Sequence, residues 1–205
     1  MGNYQSSLAK VDFEGAKKHV LSRLENELAE SLYYHGIHHT LDVLNSVQVL
    51  AKKEGIEGEL NALVQTAALY HDTGYIEQYQ ENEHLAVEIV KRELPDFGFS
   101  LEQINTIGSM ILTTRDREVP QSLLEMVLCD ADYDYLGRDD FHSIANTLLR
   151  ELNENGYNFN NRQWDKIQIN FLEKHIFYTP SARQLRETKK QKHLSEVKSR
   201  LSSYE

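Results

Sequence analysis

Apolar residues along this chain recur at intervals of three and four, the spacing of one face of an α-helix. Val11, Phe13, Val20, Leu21, Leu24 and Leu28 mark a first helix within residues 11–32. Leu41, Val43, Leu44, Val47, Val49 and Leu50 mark a second, ending near Gly55. Residues 60–70 (LNALVQTAALY) are apolar almost all round, as expected of a helix buried on every side. A helix over 85–94 stops at Pro95. Ser100 with Gln103, and Ser122 with Glu125, each set a capping box ahead of a further apolar run. Residues 141–152 are amphipathic and leave the helix at Gly156, residues 164–177 follow, and Thr179-Pro180 supplies an N-cap and first position for a last helix. The pattern predicts an all-α protein of about nine helices with no strand.

Composition agrees. Ten glycines and three prolines in 205 residues favour long helices over a turn-rich β architecture, and 40% hydrophobic with 26% charged residues is ordinary for a globular chain. The length suits one domain. A net charge of −10 weighs against nucleic acid as an obligatory partner, because phosphates would be repelled. From Thr179 onward the balance reverses, with seven Lys or Arg against three Glu, read as a solvated basic helix face. The lone Cys129 cannot form an intramolecular disulfide, which fits a cytoplasmic, reducing setting. No apolar run reaches membrane-spanning length, and the N-terminus lacks the apolar core of a secretory signal. The opening MGNYQS fits a loose acylation pattern, but one acyl chain anchors only marginally, so no membrane partner is expected.

Chemistry concentrates in three segments. Three of the nine histidines fall within YHGIHHTLDV, residues 34–43. With a helix starting near Ile37, His39 shares a face with Val43 and Val47 and needs a partner for each ring nitrogen. YHDTGY, residues 70–75, ends the apolar third helix with His71 beside Asp72, and a carboxylate there is costly unless paired or bound to a metal. LCDADYDYLG, residues 128–137, places Asp130, Asp132 and Asp134 after an apolar helix over 123–128. Their mutual repulsion calls for a cation. A calcium loop fails for lack of its glycine and closing glutamate at the required spacing.

A histidine, then His-Asp after an apolar helix, then a late Ala-Asp resembles the HD-domain superfamily of metal-dependent phosphohydrolases. The resemblance covers roughly residues 34–150. It implies a compact multi-helix HD-domain bundle occupying 1–205 as one domain, with helices over 161–201 packed on that core. It further implies His39, His71, Asp72 and Asp132 as ligands of one divalent metal ion (Mn, Mg, Fe, Ni or Co), with Asp130 as the runner-up for the last position. YHGIHHTLDV resembles the corresponding stretch of cyclic-nucleotide phosphodiesterases, which places His35 as general acid and leaves His38 facing solvent. Asp72 would also orient the attacking water. Many relatives carry His-Glu at the head of the next helix; here Asn82-Glu83-His84 stands there, and TTRDRE replaces a later histidine. These departures weigh against a second ion, for which His84 is the candidate. Glu83 can act beside the centre, and Arg115 is either a surface residue or a phosphate contact.

The expected function is hydrolysis of a phosphate ester of a nucleotide-like small molecule by metal-activated water. Two rivals are a nucleotide-sensing module on the same scaffold without turnover, and a di-iron oxygenase, which needs a second ligand set. His19, His142, His175 and His193 read as ordinary histidines, and Trp164 with the aromatics of 171–178 as core.

Overall fold

Asp12 accepts a hydrogen bond from the Gly15 amide (2.9 Å) and so opens α1, Phe13–Glu27. Ala16, Val20 and Leu24, spaced by four, are its buried stripe. The helix is shorter than the 11–32 expected from its periodicity. At Leu28 the backbone becomes extended, a turn closes from the Leu32 amide to the Ala29 carbonyl (3.0 Å), and the amides of Tyr34 and His35 donate to the Glu151 carboxylate (2.7 and 3.1 Å). A distant acid thus holds the chain between α1 and the next helix.

The computed structural model describes residues 11–115 and 118–204; the MGNYQS segment lies outside the described residues. Among those described, all regular structure is helical. After α1 come α2 (Ile37–Lys53), α3 (Gly58–Tyr70), α4 (Asn82–Glu93), α5 (Leu101–Thr113), α6 (Leu123–Asp132), α7 (Phe141–Glu154), α8 (Asn161–Lys174) and α9 (Pro180–Ser202). Both capping boxes form, at Ser100 with Gln103 and at Ser122 with Glu125. No helix among the described residues is long and apolar enough to cross a membrane.

Helix α3 is the hub. It packs on α1, α2, α5 and α6, which is why its sequence is apolar almost all round. Val64, Thr66, Ala67, Ala68 and Tyr70 have no exposed surface. It stops at the His71-Asp72 pair, and the chain turns through a short 3-10 segment, Thr73–Ile76. The turn requires a glycine. A Cβ on Gly74 would lie 1.9 Å from the Asn82 carbonyl oxygen, so any side chain there would push the start of α4 off the turn.

Helix α6 is longer than the 123–128 expected, and its last turn contains both Asp130 and Asp132. Residues two apart on a helix face opposite directions, which separates these two acids. The Asp130 carboxylate is fully buried and accepts from the Tyr178 amide, the Thr179 amide and the Thr179 hydroxyl, each at 2.7 Å. It organises the start of α9, and Thr179 in turn caps α9 through the Ala182 amide (3.2 Å).

Helix α9 then runs across the 3-10 turn Asp134–Gly137 and along α8. Its basic residues are largely paired with acids of the body rather than simply solvated. Arg186 holds buried Asp134 at 2.7 Å, Lys189 holds Asp139 at 2.6 Å, Lys198 holds Glu173 at 2.6 Å and Arg200 holds Asp165 at 2.6 Å. Helix α8 ends at Lys174, short of the 177 expected; Lys190 of α9 takes the His175 carbonyl (2.7 Å) just beyond it.

Candidate metal centre

Two helix C-termini, those of α3 and α6, carry Asp72 and Asp132 to the first turn of α2, where His39 lies. Unsatisfied carbonyls make a helix C-terminus partially negative, so an acid there is unfavourable unless a cation compensates it. His39, His71 and Asp72 are buried, and their ligand atoms lie within 4.8 Å of one another. His39 Nε2 is 3.4 Å from His71 Nε2 and 3.4 Å from Asp72 Oδ2. His71 Nε2 is 3.1 Å from Asp72 Oδ2. Asp132 joins from α6, its Oδ1 3.0 Å from His39 Nε2 and 3.7 Å from His71 Nε2.

This set fits a divalent ion. Bonds of about 2.1 Å at near right angles put neighbouring donors about 3 Å apart, close to the spacing found. Asp72 Oδ2 is buried without a hydrogen-bond donor, and such an atom calls for a partner. The other carboxylate oxygen, Oδ1, accepts from Asn82 Nδ2 at 3.2 Å. His71 Nδ1 lies 2.8 Å from the Ala68 carbonyl; the N–H therefore sits on Nδ1, leaving the Nε2 lone pair for a ligand bond. Burial opposes a proton on His71, but Asp72 and Asp132 outweigh it and push its pKa up to about 9. Burial also works against the Asp72 anion, yet His71 beside it holds its pKa well below the usual carboxylate range. Negative potential in this cluster attracts positive charge.

Beside the cluster His35 is fixed on three sides. Its Nδ1 is 2.5 Å from Glu151 Oε1, its ring stacks on Tyr75 with centroids 4.4 Å apart, and its Nε2 lies 3.2 Å from the Tyr75 hydroxyl. Glu151 is fully buried on α7 and also accepts from the Tyr79 hydroxyl at 3.2 Å. Burial alone would raise the Glu151 pKa, but His35 and the two backbone amides lower it, so it is an anion. Burial disfavours the His35 cation; the Glu151 hydrogen bond and the Asp72 charge reverse this and raise its pKa. The sequence reading missed Glu151. Its signal was an acid at the 3-4 spacing of Leu148 and Leu152, inside the apolar stripe of α7.

A cavity of about 260 Å³ opens on this group. His35, Asp72, Asn82, Glu83 and Asp132 line it from the core side, and Leu148, Leu152, Trp164, Gln168 and Phe171 from α7 and α8.

Residues 36–135 match the family model of the HD domain. Residues 36–135 form an HD domain. Its fold agrees with a solved structure described as a predicted HD superfamily hydrolase from an uncultured Thermotogales bacterium, at 19% identity and a TM-score of 0.61 over 100% of both chains. No curated protein gives a significant match.

Within this HD domain the structure brings together His35, His39, His71, Asp72 and Asp132, with Glu83 on the cavity wall. Burial pushes the Glu83 pKa up, and Asp72 adds to the rise. Three other candidates lie elsewhere. Asp130 is committed to α9, as described. His84 is exposed and faces Glu81 at 3.8 Å; helical geometry points it away from its neighbours Asn82 and Glu83. Arg115 acts on the charge of Glu83 but is not part of the cavity wall. His38 is exposed.

Proposed function

We propose that this HD-domain protein is a metal-dependent phosphohydrolase that cleaves a phosphate ester of a nucleotide-like small molecule. The observation that carries the reading is the juxtaposition of a two-histidine, two-carboxylate cluster, whose Asp72 and Asp132 reach the cavity wall, with a Glu151-anchored histidine on the same wall. His39, His71, Asp72 and Asp132 would hold one divalent ion. Such an ion supplies Lewis acidity, acidifying water and offsetting charge on phosphoryl oxygens.

The chain's own residues do the rest. Asn82 anchors Asp72 Oδ1 and so presents Oδ2 to the centre. Glu151 holds the His35 Nδ1 proton, which leaves Nε2 as the nitrogen that can gain or lose one on the cavity side. The Glu151 hydrogen bond and the Asp72 charge raise the His35 pKa and so favour the protonated ring, which gives its Nε2 proton to the departing ester oxygen. Tyr75 keeps the imidazole in plane for the transfer. Apolar side chains of α7 and α8 limit water around the ester.

Asn82 stands where relatives in the resemblance have histidine, and its amide is spent on Asp72. We therefore propose a single ion. Purified protein with Mn²⁺ should hydrolyse a phosphomonoester or phosphodiester, and Asp72→Ala should abolish the activity. Hydrolysis that survives this substitution sinks the mechanism.

A further inference from the structure

Helix α8 places Trp164 and Gln168 four residues apart, on one face, and both belong to the cavity wall. Only 5% of Trp164 and 6% of Gln168 is exposed. Neither Trp164 Nε1 nor Gln168 Oε1 has a hydrogen-bond partner among the described residues. Buried polar groups are rarely left so, because desolvation is then uncompensated.

The pair also has a defined polarity. An indole N–H only donates. Gln168 Nε2 donates to Asp165 Oδ1 at 3.2 Å, and Asp165 is clamped by Arg200 of α9 through Nε at 2.9 Å and Nη2 at 2.6 Å. A carboxylate can only accept, so the amide cannot flip, and Oε1 is the atom left over. One donor and one acceptor therefore remain open on the α7–α8 side of the wall, whose other residues, Leu148, Leu152, Phe171 and Leu172 among them, are apolar. Pockets for drug-sized ligands measure roughly 300–1,000 Å³; this cavity, at about 260 Å³, suits a smaller ligand.

We propose that the recess walled by α7 and α8 is a recognition subsite for a nucleobase-type heterocycle. The ring would accept from Trp164 Nε1 and donate to Gln168 Oε1 with adjacent edge atoms, its faces against the apolar side chains. That the ring belongs to a substrate rests on the phosphohydrolase reading; that the recess binds it does not.

The test uses the full chain and ligands without phosphate: uridine and adenosine, each paired with a counterpart lacking the edge donor, 3-methyluridine and purine riboside. At least one parent nucleoside should raise the melting temperature and bind by calorimetry, and its counterpart should not. Trp164→Phe and Gln168→Met should each weaken that binding at least tenfold. Gln168→Met also loses the Asp165 hydrogen bond and Trp164→Phe some buried ring contact, so each melting temperature without ligand should fall modestly, and nucleoside binding is the deciding readout. No nucleoside binding, or equal binding by parent and counterpart, overturns the proposal. So does nucleoside binding that is unchanged in both variants. Nucleoside binding without hydrolysis of any phosphate ester would remove the enzymatic reading and leave this one standing. Hydrolysis indifferent to the ring would do the reverse.

Discussion

Glu151 and His35, 116 positions apart in the chain, meet at 2.5 Å, and His35 belongs to the cavity wall. The acid has no exposed surface, so its charge is expressed almost wholly through its partners. Replacing it by glutamine removes the charge and turns an amide donor toward backbone donors. Glu151→Gln should therefore lower the His35 pKa. A general acid works below its pKa, so the alkaline limb of the pH–rate profile should move to lower pH. A loss of about 10²-fold in kcat is expected for a mispositioned acid. An unshifted limb would exclude His35 as the proton donor.

Removing the ion should be visible without any substrate. A ligand that binds only the native state at 100 times its Kd adds about 2.7 kcal/mol of stability. Mn²⁺ should raise the melting temperature, a chelator should reverse the rise, and Asp132→Asn should blunt it because one carboxylate charge leaves the cluster. Elemental analysis of saturated protein should return one ion per chain.

Asp130 and Asp132 stand on one helix turn and should fail differently. Asp130→Ala leaves the two buried Thr179 donors and the half-buried Tyr178 amide without an acceptor. At about 1–3 kcal/mol for each orphaned group, with partial relaxation, a loss of roughly 3–5 kcal/mol in urea unfolding is expected. Metal affinity at moderate temperature should barely change. Equal loss of metal binding in the two variants would contradict the separation of their roles.

His175 gives the fold a sensitivity to acid. Burial, with Lys190 nearby, pushes its pKa from 6.5 down to about 4. Between those values the unfolded chain holds a proton that the native imidazole does not. Its contribution is fully present above pH 6.5 and is lost as pH falls towards 4, by on the order of 2–3 kcal/mol. His175→Phe keeps the aromatic contacts with Tyr133, Phe171 and Phe177 and should flatten that part of the stability–pH curve.

How far the sequence went is clearest at particular residues. The helices were legible because periodicity is a local property, and so were both serine capping boxes. Residue chemistry drew attention to three segments rich in histidine and aspartate, and the resemblance to the HD-domain motif picked His39, His71, Asp72 and Asp132 out of them. Helix lengths were less so. Helix α1 stops at Glu27, and the chain beyond it is held by a carboxylate more than a hundred residues away.

Sequence alone settled the all-α class, since spacing is written along the chain, and through its resemblance to the HD-domain motif named the side chains expected to share a cation. Only tertiary packing decided that Asp130 faces α9 while Asp132 faces His39, because that choice depends on where α6 ends and what lies on either side. Only packing brought Glu151 under His35 and set the α8 polar pair in a cavity wall. A hydrogen bond between distant residues leaves no periodic trace; it exists once the helices have been placed.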